Sequence, residues 1–235
     1  MPTETADQAT DLALPSLGDL TAPPRRVIWH WTAGGLFATK RERSCYHVLI
    51  ERLEGHPHDP TDDRIVYRAG VPIARNMRSV AGLPSYAHDR ERGYAAHVAR
   101  LNAYSIGVAM CGMRGAVDYR NVGRGVRPGP SPITALQVRA LLSISVVLAS
   151  VYDLEVSERT FLGHYEVERV YGIALTRGRW DPSWIPTRHD LDPGEVGDYL
   201  REQLVRWLAG SPIDDAIYDP PEGASSLDES AGEEG

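Results

Sequence analysis

The run Val27-Ile28-Trp29-His30-Trp31-Thr32 constrains this chain more than any other stretch. It is β-branched, aromatic and apolar, and Pro23-Pro24 just before it cannot continue a hydrogen-bonded ladder, so it predicts a strand beginning near Arg25. Ala33-Gly34-Gly35 ends it. Side chains alternate along a strand, which puts Ile28, His30 and Thr32 on one face and Val27, Trp29 and Trp31 on the other. His30 then points from the edge of a core towards whatever lies above the sheet. A lone histidine in such a run is most simply a satisfied core residue. Its partners elsewhere in the chain change that reading.

The strand has to belong to a sizeable core, and 235 residues suffice for one large domain or two small ones. A net charge of -7 argues against a nucleic-acid partner, which needs a basic surface, and gives no reason for attraction to an anionic membrane. Cys45 and Cys111 do not make a disulfide framework, and each lies in a strand-like run where a buried thiol is expected. No apolar run suggests a membrane span. The first residues lack the basic and apolar regions of a signal peptide, so a cytoplasmic site of synthesis is expected.

Residues 1–22 form a loose polar leader ahead of a domain over 23–210, and the acidic, Pro- and Gly-rich stretch 211–235 reads as a disordered tail. Within the domain, Ser44 to Glu51, Arg64 to Arg68 and Tyr104 to Gly112 are further strands. Lys40 to Arg43 is a solvated loop or helix end, and the turn at Gly55 to Pro60 exposes His56 and His58. Residues 69–103 form a long irregular connection of the kind that carries function or covers a site, and 112–132 is a second loop. Thr134-Ala135-Leu136-Gln137 is a capping box opening an amphipathic helix over 134–152, with Leu141, Ile144, Leu148 and Val151 inward. A second helix runs from about Gly194 to Leu208, with Tyr199, Leu200, Leu204, Trp207 and Leu208 on its apolar side.

Between the helices lie Leu162-Gly163-His164-Tyr165-Glu166 and Arg179-Trp180-Asp181-Pro182. Hydrolytic zinc commonly takes three ligands from His, Asp, Glu or Cys and keeps a fourth position open. His30, His164 and Asp181 could form such a set from a strand end and two loops, although they are too far apart in sequence to make a local motif.

The order of blocks resembles the zinc-dependent N-acetylmuramoyl-L-alanine amidases of the peptidoglycan-recognition-protein fold, especially phage endolysins. The matching pieces are Val27 to Ala33, Cys45 to Ile50, His97 through Asn102 to Val108, Leu162 to Glu166 and Arg179 to Pro182. The resemblance implies His30, His164 and Asp181 as Zn2+ ligands and Tyr46 beside the attacking water. It places His97 and Asn102 along the substrate groove, with Thr32 near His30. Zinc would acidify water and polarise the amide carbonyl between the lactyl group and L-alanine. The implied fold is α/β, a central mixed sheet flanked by helices with a zinc cleft at the strand ends.

Three departures from that family pattern stand out. Arg179 occupies a position that is often Lys, so it can stabilise an oxyanion but not give up a proton at neutral pH. Ala109 stands where some relatives carry a general-base Glu. The seventeen-residue step from His164 to Asp181 is wide, which leaves Asp192 as a competing third ligand. Of the other histidines, His47 should face away from Tyr46 into packing, while His88 and His189 should be exposed. The expected protein is a monomeric peptidoglycan hydrolase of endolysin type, made in the cytoplasm and reaching the wall after membrane permeabilisation. Its rivals are a cytosolic amidase recycling wall fragments and a non-catalytic peptidoglycan-binding module.

Overall fold

The predicted strand around His30 lies inside a five-stranded sheet. In the computed structural model, which describes residues 14, 16–53, 64–78, 93–119, 125–174, 180–214 and 217, it is β1, Arg26–Trp31. β2 (Val48–Leu53), β3 (Arg64–Ala69), β4 (Ser105–Met110) and β7 (Phe161–Gly163) complete the sheet in the order β3-β2-β4-β1-β7. β1 runs parallel to β4 and β7, β2 runs parallel to β4, and β2 and β3 pair antiparallel, so the sheet is mixed. The predicted α/β class with a central mixed sheet flanked by helices is what the chain adopts.

The alternation read from β1 separates two cores. Val27, Trp29 and Trp31 join Val48, Ile50, Val108 and Met110 in the larger one. Ile28 faces the other way, into a small cluster with Val98, Leu101, Leu162 and Val167. The larger core is closed by α2 (Ala135–Tyr152), whose capping box forms as expected, with Thr134 accepting from the Gln137 amide and Gln137 accepting from the Thr134 amide. Gln137 also reaches the sheet, donating to the carbonyls of Ile50 and Cys111, and Ser145 accepts from Trp29 Nε1 at 3.0 Å. α4 (Val196–Leu208) packs beside it. By length and composition α2 could cross a membrane, contrary to the expectation of no such run, but most of it is buried in the core.

Several boundaries differ from expectation for local reasons. Residues 44–47 are not strand, because α1 (Lys40–Arg43), itself opened by a Thr39–Glu42 capping box, captures the next amides. Cys45 and Tyr46 both donate to the Glu42 carbonyl. Cys45 is consequently half-buried, whereas Cys111 is buried as expected. Val151 is 41% exposed because the inward row of α2 continues from Leu148 to Tyr152. At the end of α4, Leu208 is 40% exposed and Trp207 only partly buried. Residues 112–132, expected to be loop, include the short antiparallel pair β5 (Val117–Asp118) and β6 (Val126–Arg127). Residues 1–13 and 15 of the leader at 1–22 and most of the tail at 211–235 lie outside the described residues, but the described parts are neither loose nor disordered, because Leu14, Leu20, Ile213 and Ile217 pack into the larger core.

Candidate metal centre and active site

Sheet register brings the two candidate ligand histidines together. Trp29 on β1 pairs with Gly163 on β7, so the residues that follow, His30 and His164, emerge level with each other. Their rings meet edge to face at 4.7 Å between centroids. β7 is followed at once by α3 (Val167–Tyr171), preceded by the tight turn His164–Glu166. Glu166 accepts from the Gly163 amide at 2.7 Å, and Arg201 of α4 clasps the same carboxylate at 2.9 and 3.0 Å while also donating to the Phe161 carbonyl. A Cβ at Gly197 would collide with that carboxylate, so glycine is needed for α4 to approach.

Asp181 arrives from the far side. The Tyr165 amide donates to the Asp181 carbonyl at 3.1 Å, and neighbouring Trp180 packs edge-on against Trp31 at 5.0 Å. Asp181 Oδ2 lies 2.8 Å from His30 Nδ1 and its Oδ1 lies 3.3 Å from His164 Nδ1. All three side chains are buried, and their donor atoms lie within 4.8 Å of one another. Burial alone would raise the Asp181 pKa, but the charge and hydrogen bonds of His164 and His30 hold it well below the usual carboxylate range.

The residues fit a zinc ion. Metal–ligand distances of 2.0–2.2 Å in a tetrahedron imply donor separations of roughly 3.3 Å, and two imidazole nitrogens with one carboxylate leave one position open. Asp192 is not gathered with them: it is exposed, and its carboxylate accepts from the Gly194 amide at 2.9 Å in a turn before α4. His189 is exposed as expected, against Trp184. Arg179, His56, His58 and His88 lie outside the described residues.

Around this group the other candidates take distinct places. The Tyr46 ring is 5.1 Å from that of His30 and half-buried. His97, expected along a substrate groove, is instead 1% exposed, with Nδ1 3.1 Å from His30 Nε2. Asn102 is also buried, and its Oδ1 accepts from the amides of His97 and Val98, so it shapes the turn that presents His97. Thr32 accepts from the amides of Gly34 and Gly112, tying the end of β1 to the end of β4. Ala109 pairs with His30 across the sheet and offers no proton acceptor.

His47 is buried, as expected. Strand alternation does not govern it, because the strand begins only at Val48, and its ring meets the edge of His97 at 5.5 Å. Its Nδ1 accepts from the Gly107 amide at 2.8 Å. Burial pushes its pKa down to about 3, helped by the charge of His30 and opposed by a hydrogen bond with Asn76. His97 lies well below its ordinary value, first from burial and then from His30, His47 and His164. The Glu166–Arg201 support and the inner pair His47–His97 are the features that sequence reasoning missed. The adjacent pair Tyr46-His47 beside a short helix was the available signal for His47.

A comparison with curated proteins gave no match. Among solved structures, AmpDh3 from Pseudomonas aeruginosa is similar at 20% identity and a TM-score of 0.36, over 61% of this chain and 51% of that one. The match thus spans about half the length of that neighbour. The family model described as N-acetylmuramoyl-L-alanine amidase matches residues 20–184, which include His30, Tyr46, His97, His164 and Asp181. The chain therefore belongs to the N-acetylmuramoyl-L-alanine amidase family.

Proposed function

We propose that this protein is a zinc-dependent hydrolase that cleaves the amide between N-acetylmuramic acid and L-alanine in bacterial peptidoglycan. The observation that carries the reading is the convergence of His30, His164 and Asp181 in a chain of this family. When bound, zinc supplies Lewis acidity at the scissile carbonyl and at the attacking water. The chain's own residues do the rest. The Asp181 carboxylate stays ionised, and its negative charge balances the cation. The Tyr46 hydroxyl, from its place beside His30, steadies the attacking water or the developing oxyanion. Arg179 adds fixed positive charge as a stabiliser and takes no part in proton transfer. Since Ala109 cannot act as a base, the work of orienting the water falls to Tyr46.

The likeness of the sequence blocks to phage members supports a monomeric endolysin, made in the cytoplasm and acting on the wall once the membrane is permeabilised. Digestion of purified sacculi, with and without a zinc chelator, tests the reading by scoring new amino ends against new reducing ends. L-Alanine amino ends that vanish on chelation and return with zinc are the expected result. Reducing ends would mean a glycosidase and overturn the zinc mechanism. Retention on sacculi without cleavage would make the protein a binding module. Faster turnover of soluble wall fragments than of sacculi would point to recycling.

A further inference from the structure

His30 is engaged at both ring nitrogens. Nδ1 faces Asp181 at 2.8 Å, and Nε2 faces Nδ1 of His97 at 3.1 Å with the two rings at 85°. The side chain is fully buried, so neither nitrogen turns to bulk water. Only one proton fits between two imidazole nitrogens at that separation. His30 would hold a metal on the Asp181 side through its Nδ1 lone pair, and the neutral ring would then carry its proton at Nε2, pointing at His97.

We propose that His97 is a positioning residue for the metal centre: its Nδ1 accepts the Nε2–H bond of His30 and fixes that ligand's tautomer and ring angle. This rests on the zinc reading above. His97 is on the far edge of the His30 ring from Asp181, outside the group of donors that can meet on one ion. At 1% exposure it is also out of reach of a substrate. The hydrogen bond to His30 is the contact through which His97 reaches the ligand set. A ligand histidine normally gives its second N–H to a carboxylate, carbonyl or water; here a second imidazole takes that place.

The seat of His97 is built for this. Gly107 of β4 lies beneath the ring, and a Cβ there would stand 2.6 Å from the His97 Cγ. The Asn102 carboxamide holds the His97 amide, so the backbone is fixed as well as the ring. His47 closes the back of the ring edge-on, and is itself anchored by the Gly107 amide. His30, His97 and His47 thus form a buried file leading away from the metal centre.

The test compares wild type, His97→Leu and His97→Asn. Leu fills the space without an acceptor, whereas Asn returns an acceptor oxygen to the position of Nδ1. Zinc affinity is read by competition with a chromophoric chelator, with circular dichroism reporting the fold. The expected result is zinc binding by wild type, a loss of about 10- to 100-fold in His97→Leu, and substantial recovery in His97→Asn. In zinc-loaded, 15N-labelled wild type, the shared proton should reside on His30 Nε2 with a scalar coupling to His97 Nδ1. Affinity unchanged within about twofold in a folded His97→Leu, or equal losses in both variants, would overturn the proposal and leave the zinc reading standing. Wild type that binds no zinc would overturn both. If His97→Leu does not fold, the wild-type spectrum decides, and a proton found on His97 Nδ1 overturns the assignment.

Discussion

At the residue scale, the two histidines behind the site and the carboxylate within it all hold depressed pKa values, so each lowers stability as pH falls, in different windows. His47 binds a proton below its ordinary value of 6.5 when unfolded, but only near pH 3 when folded. The unfolded state therefore holds more protons across that window, and stability falls as pH drops from 6.5 towards 3, by about 1.4 kcal/mol per pH unit for this group. His97 adds to the loss in the same direction. Urea midpoints of wild type and His47→Asn at pH 7, 6 and 5 check this, and the variant should show the shallower dependence. The depressed Asp181 acts only lower, with its contribution present above 3.8 and lost below it. Asp181→Ala should abolish zinc uptake and lower hydrolysis by more than about 100-fold, several kcal/mol of barrier, while Asp192→Ala leaves both unchanged. Metal analysis and sacculus digestion read the two effects separately.

At the element scale, α4 does more than cover the core. Through Arg201 it holds Glu166, and through Glu166 the turn from which His164 projects. Arg201→Met leaves that buried carboxylate, among the described residues, with the Gly163 amide and a single cation, Arg169, whose side chain is 57% exposed. The expected cost is about 3 kcal/mol, at the low end for breaking a buried pair because one partner remains, and urea unfolding measures it. Weaker zinc binding should accompany it, because His164 follows directly on Gly163. A milder change tests the opposite side of the sheet: Thr134→Ala removes the α2 cap and should cost about 1 kcal/mol without altering zinc affinity.

At the scale of the whole molecule, the proposed zinc would join three segments that are distant in sequence: the end of β1, the turn after β7 and the loop at Asp181. Unfolding has to separate them, so zinc should stabilise the entire domain. At a free concentration about 100 times Kd the gain is roughly 2.7 kcal/mol, or about 5–10 °C in Tm for a chain of this size. Calorimetry with zinc and with excess chelator checks it, and identical transitions would count against the metal site.

Sequence alone determined the frame. Apolar alternation in β1 set which face His30 occupies, and the Thr134 and Gln137 pair set where α2 starts, because strand and cap geometry are local properties of the backbone. Block order marked His30, His164 and Asp181 as a set. Only the tertiary structure gathers Asp181 rather than Asp192 with His30 and His164, through the Tyr165 amide and the packing of Trp180 against Trp31. It also set His97 against His30 and the buried His47 against His97. Those contacts join residues tens of positions apart, and periodicity along the chain carries no record of them.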